Sequence, residues 1–252
     1  MNEKLEQFLD WVGQSEKIVF FGGAGVSTES GVPDFRSKDG LYNQQDVRFE
    51  KYKPEYLLSH SCLIKEPKVY FEFHRQKMDT RAIEPNNAHK YLVKLEQLGK
   101  LKGIVTQNID GLHQKAGSKN VYEIHGSALR NYCVRCNKGY DKDYIFDSKE
   151  AVPYCECGGL IRPDITLYEE ALPQKAVECA VKCILEADML IIGGTSLTVY
   201  PAATYIDYFK GRYLVVINRD SLNIQPNSKT LIINERIGEF FARAAQAQGF
   251  KL

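Results

Sequence analysis

Residues 20–36 read FFGGAGVSTESGVPDFR, and this stretch decides the class of fold. The apolar run at 18–21 that leads into it is typical of a buried strand. Gly22, Gly23 and Gly25 then permit a sharp turn and a close approach of the backbone to a ligand. The small and polar residues that follow are able to open a helix, whose free N–H groups favour phosphate. A strand, a glycine-rich turn and the start of a helix together predict nucleotide binding.

Short apolar segments alternate with helical patterns along most of the remaining chain. Strands are predicted at 17–21, 103–106, 121–124, 189–192, 213–217 and 230–233. Helices are predicted at 5–12, 65–78, 88–98, 173–186 and 235–248. This alternation predicts an α/β protein with a parallel sheet covered by helices on both faces. Residues 36–85 and 127–168 do not follow this alternation of strands and helices, and we expect these two insertions to form one smaller module.

The composition excludes several classes of protein. The chain has 252 residues, of which 44% are hydrophobic and 26% charged, and its net charge of +1 argues against direct binding of nucleic acid. No apolar run approaches the ~20 residues that span a bilayer. The first ten residues are polar and acidic, unlike a secretory signal. We therefore expect a cytoplasmic protein that does not bind membranes.

Four cysteines form the clearest candidate for a metal site. Cys133 and Cys136 are followed, after 18 residues, by Cys155 and Cys157. Two close thiolate pairs at this separation are typical of a structural zinc site with four sulfur ligands, which leaves no open position for catalysis. The second pair has one intervening residue where two are usual, so its turn must be tighter. A redox pair or a chance grouping are the alternatives.

The glycine turn departs from the usual dinucleotide fingerprint. Thr28 stands where a third glycine is expected, and no acidic residue ends a strand about 20 residues further on. The departure weighs against an ordinary hydride-transfer enzyme rather than against nucleotide binding. Taken by themselves, the glycines could also form a turn that serves packing alone.

Polar residues follow several of the other predicted strands. Residues 106–113 read TQNIDGLH, residues 193–197 read GGTSL, and residues 217–220 read INRD. Any one of these segments could be an ordinary turn. Because the carboxyl ends of parallel strands lie at one edge of the sheet, the segments together predict a ligand site at that edge.

His125 is the candidate general base. It follows the strand predicted at 121–124, at the same edge of the sheet, and a neutral imidazole can accept a proton near pH 7. A lone histidine is more often structural, and we assign that role to His60, His74 and His89.

The motifs, and their order along the chain, resemble those of the sirtuin family. The resemblance runs from Gly22 to Asn218, and its two longest motifs, GAGVSTESGVPDFR and TQNIDGLH, are highly specific. It implies a Rossmann-like NAD-binding domain at 1–35, 86–126 and 169–252. It also implies a small domain at 36–85 and 127–168, built from a helical insertion and a zinc-ribbon insertion. The implied activity is NAD-dependent removal of acyl groups from protein lysines, giving nicotinamide, free lysine and O-acyl-ADP-ribose.

The resemblance also implies roles for individual residues. His125 is the implied base, which deprotonates a ribose hydroxyl, and Asn108 and Asp110 share the catalytic site. The implied contacts to NAD, the co-substrate, are Gly22, Ala24, Gly25, Thr28, Asp34, Phe35, Arg36, Gln107, Asn108, Asp110, Gly194, Thr195, Ser196 and Asn218. Among these, residues 34–36 belong to a flexible loop that shields the reacting ribose. The implied contacts to an acetylated lysine peptide are Ile109, Ile165, Thr166, Tyr168 and Val199. One structural zinc ion per chain is expected on Cys133, Cys136, Cys155 and Cys157.

Two departures and two alternatives accompany this interpretation. Thr166 and Glu169 differ from the family's usual residues beside the substrate. Sirtuins that remove acidic acyl groups carry a Tyr-x-x-Arg pair in the helical insertion. The nearest spacings in this chain are Phe71-x-x-His74 and Tyr70-x-x-Phe73, and neither supplies both a phenol and a guanidinium, so we expect apolar acyl groups, acetyl first. The alternatives are an ADP-ribosyltransferase or NAD glycohydrolase that uses the same pocket, and a zinc-ribbon module that binds nucleic acid or protein.

Overall fold

The structure is a computed structural model that describes residues 3–35, 37, 40–43, 46–222 and 224–252. Its α-helices are α1 (Glu3–Gln14), α2 (Pro54–Leu57), α3 (His60–Lys65), α4 (Pro67–Lys77), α5 (Asn87–Gln97), α6 (Leu112–Ala116), α7 (Lys142–Phe146), α8 (Gln174–Leu185) and α9 (Ile237–Ala247). Its strands are β1 (Ile18–Gly22), β2 (Leu101–Thr106), β3 (Val121–Glu123), β4 (Gly126–Cys133), β5 (Gly139–Tyr140), β6 (Ile161–Ile165), β7 (Met189–Gly193), β8 (Tyr213–Ile217) and β9 (Thr230–Ile233). No helix among the described residues is long and apolar enough to cross a membrane.

The larger sheet is parallel and has the order β3-β2-β1-β7-β8-β9. From β1 the chain adds β2 and β3 on one side, and later adds β7, β8 and β9 on the other. The order therefore reverses between β1 and β7, and the crevice at the carboxyl ends of these two strands is where open α/β sheets bind ligands. The predicted parallel sheet is confirmed.

The middle strands of this sheet are buried on both faces, which explains their unbroken apolar sequences. Phe20 and Phe21 are adjacent in β1, and each is fully buried in a different core. Phe20 belongs to the cluster under α1, α5 and α9, where Phe8 packs edge-on against Phe240 with ring centroids 5.1 Å apart. Phe21 belongs to the cluster under α8 and a 3₁₀ segment at Ala202–Tyr208. Helices thus cover both faces, as predicted.

A smaller antiparallel sheet, in the order β5-β4-β6, lies in the second insertion. Arg81, which follows the helical insertion's α4, donates to Asp143 and Asp147 at 2.8 Å each. Arg75 of α4 donates to the carbonyl oxygens of Ile145 and Glu150. These contacts pack the helical insertion against the cysteine-bearing insertion. The exact domain boundaries stay a prediction.

One local prediction holds with a shifted start, and another was wrong. The helix predicted at 65–78 is α4, which begins at Pro67 because the proline disfavours helical geometry at Glu66 before it, and Lys65 is the last residue of α3. The helix predicted after the glycine turn is two 3₁₀ turns, Ala24–Val26 and Thr28–Ser30. Gly31, at a φ of 91°, ends the second turn too early for an α-helix to be stable.

Candidate active site

A cleft of about 1280 Å³ lies at the carboxyl edge of the parallel sheet. It extends from the glycine turn after β1 to the segment after β6. Most residues predicted to contact NAD or the peptide line it, and they come from six separate parts of the chain. They are Ala24, Gly25, Thr28, Asp34, Phe35, Gln107, Asn108, Ile109, His125, Ile165, Thr166, Tyr168, Gly194, Thr195, Ser196, Val199 and Asn218.

Two of the described residues predicted to contact NAD are not among those that line the cleft, and a third predicted contact is not described. Gly22 is the buried last residue of β1, and a Cβ on it would lie 2.5 Å from the Phe20 ring. Asp110 lines a cavity of about 40 Å³ that shares Ala24, Phe35 and Asn108 with the cleft. Arg36 lies outside the described residues.

The glycine turn packs directly on the turn after β7. The Gly25 N–H donates to the Gly194 carbonyl oxygen at 2.7 Å. A Cβ on Gly25 would lie 2.8 Å from both the Cα and the carbonyl oxygen of Gly194, so no side chain fits there. The glycines therefore serve packing, and they also bring two stretches of backbone without side chains to the wall of the cleft, where a ligand can approach closely.

His125 follows β3 and lines the cleft. Its Nδ1 lies 2.9 Å from the Gln107 carbonyl oxygen, which can only accept, so Nδ1 carries the hydrogen. Burial lowers the pKa of His125 below its usual value, and the hydrogen bond to Gln107 opposes part of that shift. The ring is therefore neutral at pH 7, and its Nε2 can accept a proton.

Asp110 and Asn108 meet Ser27, a residue that sequence reasoning did not single out. The Ser27 hydroxyl donates to Asp110 Oδ2 at 2.6 Å, and Asn108 Nδ2 donates to Ser27 Oγ at 3.1 Å. Burial raises the pKa of Asp110, while hydrogen bonds from Ser27 and from the Leu112 N–H at 2.9 Å lower it. Only the position of Ser27 in the GAGVS motif could have signalled this role.

The turn after β7 is joined to the turn after β2. Gln107 Nε2 donates to Thr195 Oγ1 at 3.1 Å, and the same oxygen accepts from the Leu197 N–H at 3.2 Å. Two side chains that the sequence analysis had connected only through their motifs thus touch across the cleft. Thr195 is held by both bonds in one orientation, beside the glycine turn.

The substrate side of the cleft is formed by the residues after β6. The Thr166 N–H donates to the His125 carbonyl oxygen at 2.9 Å, and the Tyr168 hydroxyl lies 2.9 Å from that of Tyr42. Glu169 has a φ of 75°, the left-handed region that favours the glycine usual in the family, and its carboxylate accepts from the Ser61 N–H at 2.9 Å.

Glu170, which the sequence analysis also missed, anchors this segment. It makes two hydrogen bonds with Arg162, at 2.5 and 2.9 Å, and one with the His60 ring at 2.9 Å. Burial raises the pKa of Glu170, but the hydrogen bonds, first among them those from Arg162, outweigh it and bring the pKa to about 2. The carboxylate is therefore ionised throughout the physiological range.

Phe71 and His74 offer no cation for an acidic acyl group. Both are fully buried, and the His74 ring stacks between Tyr70 and Phe146 at centroid distances of 5.9 and 5.2 Å. Burial lowers the pKa of His74 to about 3, so its ring is neutral. The apolar residues Leu58, Ile109, Ile165 and Leu167 line the cleft instead.

The four predicted metal ligands lie together. The sulfur atoms of Cys133, Cys136, Cys155 and Cys157 are all within 4.8 Å of one another, with closest separations of 3.5 and 3.6 Å. Four thiolates around a tetrahedral zinc ion are about 3.8 Å apart, since Zn–S is about 2.3 Å. The close spacing of Cys155 and Cys157 in the sequence is accommodated by a turn in which Gly158, at a φ of 81°, donates its N–H to the Cys155 carbonyl oxygen. The donor set fits structural zinc.

The family model described as the Sir2 family matches residues 23–201, which is more than half of the chain. The chain belongs to the Sir2 family. The resemblance inferred from the motifs is thereby confirmed, and the matched residues include the glycine turn, His125 and the four cysteines.

This Sir2-family chain is similar to other proteins of known name, and to solved structures of other proteins, over almost its full length. An NAD-dependent protein deacetylase of Clostridium acetobutylicum is 52% identical over 238 residues, covering 94% of this chain and 96% of the relative. Another of that name from Clostridium perfringens is 52% identical, covering 96% and 99%.

Two solved Sir2 structures show which ligands such proteins hold. One, with a deacetylated p53 peptide and 3′-O-acetyl-ADP-ribose, has a TM-score of 0.87 and 35% identity, covering 98% of this Sir2-family chain and 99% of its own. A Sir2 structure with a p53 peptide and NAD⁺ has a TM-score of 0.83 and 36% identity, covering 97% and 98%.

Proposed function

We infer that this chain is an NAD-dependent protein-lysine deacetylase. It removes the acetyl group from a lysine side chain and releases nicotinamide, free lysine and O-acetyl-ADP-ribose. The observation that carries this conclusion is the identity of about half of all residues, over nearly the whole chain, to proteins named NAD-dependent protein deacetylase. The site adds physical support, because a neutral histidine lies in the same cleft as the glycine turn.

His125 acts as the base in this proposal. NAD supplies its own leaving group, nicotinamide, so the protein needs only one residue to take a proton from a ribose hydroxyl. The Gln107 carbonyl oxygen holds Nδ1–H, and this bond leaves Nε2 free for that proton.

In the proposed sequence, the acyl oxygen first bonds to the ribose carbon as the bond from that carbon to nicotinamide breaks. A ribose hydroxyl then passes its proton to Nε2, and its oxygen adds to the acyl carbon. Water finally enters as the bond from that carbon to the lysine nitrogen breaks, which leaves the acyl group on the ribose and releases free lysine.

Phe35 and the glycine turn bind and shield NAD. The backbone around Gly25 and Gly194 approaches the phosphates, and Thr195, Ser196 and Asn218 contact the rest of the dinucleotide. Phe35 lines both the cleft and the small cavity beside Asp110, and its ring packs against Tyr42 with centroids 5.6 Å apart. An aromatic side chain at this position excludes water while the bond to nicotinamide breaks.

The substrate peptide binds between the segments at 165–168 and 197–200, as an added strand. Residues of both segments line the same cleft as His125. The acetyl-lysine side chain enters among the apolar residues Ile109, Ile165 and Leu167, which suit an uncharged acyl group.

Zinc has a structural role in this proposal. Cys133, Cys136, Cys155 and Cys157 hold one ion per chain, and it joins the end of β4 to the loop before β6. All four positions around the ion are filled by sulfur, so it supplies cohesion to the small module and no chemistry to the cleft.

Direct binding of nucleic acid by the cysteine-bearing insertion is disfavoured. Arg130 forms ion pairs with Glu123 and Asp164, and Lys138 pairs with Glu156 at 3.2 Å. Arg135 donates to the Cys157 carbonyl oxygen at 2.6 Å. These cations are already engaged within the protein. We also propose a cytoplasmic location, where protein substrates and NAD are both available.

Mass spectrometry of the products tests the proposed function. The chain is incubated with NAD and with matched acetyl-lysine and succinyl-lysine peptides. We expect NAD-dependent loss of the acetyl group, with slower or no loss of the succinyl group. ADP-ribose attached to protein, with the acetyl peptide intact, would identify a transferase instead. Faster removal of succinyl would contradict the assignment of the acyl site.

A further inference from the structure

His89 lies at the centre of a buried polar cluster that the proposed mechanism does not use. The cluster consists of Ser27, His89, Asn108 and Asp110, each less than 9% exposed. The ring of His113 packs against that of His89 with centroids 4.8 Å apart, and its two nitrogens have no hydrogen-bond partner among the described residues. Polar groups that are buried together in this way are costly unless each one is satisfied.

The Ser27 hydroxyl determines the direction of the hydrogen bonds in this cluster. It has one hydrogen, and its shortest contact, at 2.6 Å, is to Asp110 Oδ2, which can only accept while it is ionised. Asn108 Nδ2 donates to Ser27 Oγ at 3.1 Å. The remaining neighbour of this oxygen is His89 Nε2 at 3.5 Å, the longest of the three contacts. Because the serine hydrogen is already used, His89 Nε2 must be the donor.

The other nitrogen of His89 lies at the start of α5, beside both a donor and an acceptor of Asn86. The Asn86 N–H donates to His89 Nδ1 at 3.3 Å, and Asn86 Oδ1 lies 3.2 Å from the same nitrogen. Asn86 Oδ1 also accepts from the backbone N–H of Ala88 at 2.8 Å and from that of His89, which is the second half of a capping box. Asn86 Nδ2 also donates to the Val26 carbonyl oxygen in the glycine turn at 2.8 Å. His89 therefore connects a helix terminus to Ser27.

Both rings of the histidine pair are neutral. Burial lowers the pKa of His89 to about 4 and holds that of His113 well below its usual value, where a charge on His89 also disfavours a charge on His113. A neutral His89 has one hydrogen to place. The contacts at Nδ1 fit either tautomer, because the Asn86 N–H needs an acceptor there and Asn86 Oδ1 needs a donor. The contact with Ser27 decides between them: the Ser27 hydrogen is used by Asp110, so the hydrogen of His89 is on Nε2, where it faces Ser27.

We propose that His89 is a positioning residue whose Nε2–H fixes the orientation of the Ser27 hydroxyl, so that Ser27 donates to Asp110 and holds this carboxylate next to Asn108 at the closed end of the site. With donors from Asn108 and His89 on its oxygen, the hydroxyl has one direction left for its hydrogen. Without His89, Ser27 can rotate and Asp110 loses its shortest hydrogen bond for part of the time. This inference rests on the proposed function and on the role that the resemblance implies for Asp110, which shares the catalytic site and contacts NAD, the source of the nicotinamide.

Substitution of His89 separates this role from support of the fold. His89→Leu removes the donor at similar volume, whereas His89→Gln can still donate to Ser27. We expect His89→Leu to lower kcat for nicotinamide release about tenfold, the effect of losing one hydrogen bond to a network that ends on a charge. The KM for the acetyl peptide should be unchanged, and His89→Gln should restore kcat to within about threefold of wild type. His113→Leu, which removes an equally buried ring with no bond to Ser27, is the matched control and should retain kcat.

The tautomer of His89 in the unsubstituted protein provides a second measurement, which does not depend on how the variants fold. Nitrogen NMR of the ¹⁵N-labelled chain should show hydrogen on Nε2 and an acceptor at Nδ1. Hydrogen on Nδ1, an unchanged kcat in His89→Leu, or a His89→Gln variant as slow as His89→Leu would each overturn the proposal. Nicotinamide release is the measured quantity because both a deacetylase and an NAD glycohydrolase release nicotinamide. If the proposed function were wrong, the error would therefore appear in the identity of the ADP-ribose product and not in the effect of the His89 variants on this rate.

Discussion

At the scale of single residues, the chemistry depends on how the surroundings of His125 set its charge. The ring donates Nδ1–H to a carbonyl oxygen and is buried enough to lose affinity for a second proton. A histidine in such a place is a base rather than an acid at pH 7. Among the described residues that line the cleft, His125 is the one histidine, so it is the one candidate imidazole for the proposed proton transfer.

Removal of this imidazole tests the role of His125. His125→Ala should lower the rate of deacetylation by about 10²- to 10⁴-fold, the usual contribution of a positioned base. NAD should still bind, because the glycine turn and Thr195 are untouched. The comparison is between single-turnover deacetylation and NAD binding measured by calorimetry. If the variant retains the wild-type rate, His125 is not the base.

The pH dependence follows from the direction of the same pKa shift. A base must be neutral to act, so the rate is full above the pKa of His125 and falls as the pH drops through it. Because burial holds this pKa below 6.5, we expect kcat for deacetylation to be constant from pH 8 to 7 and to decline only below 6.5. Exchange of free nicotinamide precedes the base step and should not follow the same curve. A midpoint above 6.5 would contradict a neutral, buried imidazole.

The sequence was sufficient to predict residues whose spacing or place in the fold is characteristic. The four cysteines were predicted from their spacing, His125 from its place at the end of a strand, and Thr195 from its motif. Ser27 and Glu170 were not, because their roles depend on partners distant in the chain. Ser27 meets Asp110, 83 positions away, and a hydroxyl in a turn has an ordinary local explanation without that partner.

At the scale of elements, two local sets of interactions hold the segments that frame the cleft. The tetrathiolate group joins β4 to the loop before β6, and the Arg162–Glu170 pair fixes the segment that follows β6. Neither belongs to the large sheet, and both act on chain segments too short to be stable alone. Their loss should therefore affect the small module first.

The metal ligands are tested by removing one pair. Replacement of Cys133 and Cys136 with serine should abolish binding of the single zinc ion and lower the midpoint of thermal unfolding. A chain stabilised by metal binding loses that free energy when its ligands are gone. Zinc is counted by atomic emission on protein purified at equal concentration. A content that remains at one ion per chain would show that these cysteines are not the ligands.

The ion pair of Arg162 and Glu170 is tested by Glu170→Gln. The side chains are 7% and 20% exposed, so the variant leaves Arg162 buried without its counter-charge. We expect a loss of about 3 kcal/mol in the free energy of unfolding at pH 7, at the low end for buried pairs because Glu170 retains contact with water.

The sign of the pH effect on this pair follows from the depressed pKa of Glu170. Its contribution is fully present above pH 4.5 and is lost as the pH falls towards about 2, so the difference between wild type and variant should shrink over that interval. Urea unfolding at several pH values measures it. A difference that is constant with pH would contradict an ionised Glu170.

At the scale of the whole molecule, the site exists because the order of the parallel sheet reverses between β1 and β7. The segments that follow the carboxyl ends of its strands then meet at one crevice, and the glycine turn packs on the turn after β7 without intervening side chains. The alternation of strands and helices was enough to predict this edge as the ligand site. The packing of the two insertions on each other was not predictable in detail, because Arg75 and Arg81 make contacts that no local pattern signals.

The stoichiometry of the reaction tests the central claim most directly. Nicotinamide, deacetylated peptide and O-acetyl-ADP-ribose are quantified together by mass spectrometry during one time course with NAD and an acetyl-lysine peptide. If the acyl group is transferred to the ribose that nicotinamide leaves, the three products must appear in equal amounts from the first turnovers. Nicotinamide that accumulates with free ADP-ribose, while the peptide keeps its acetyl group, would contradict the account.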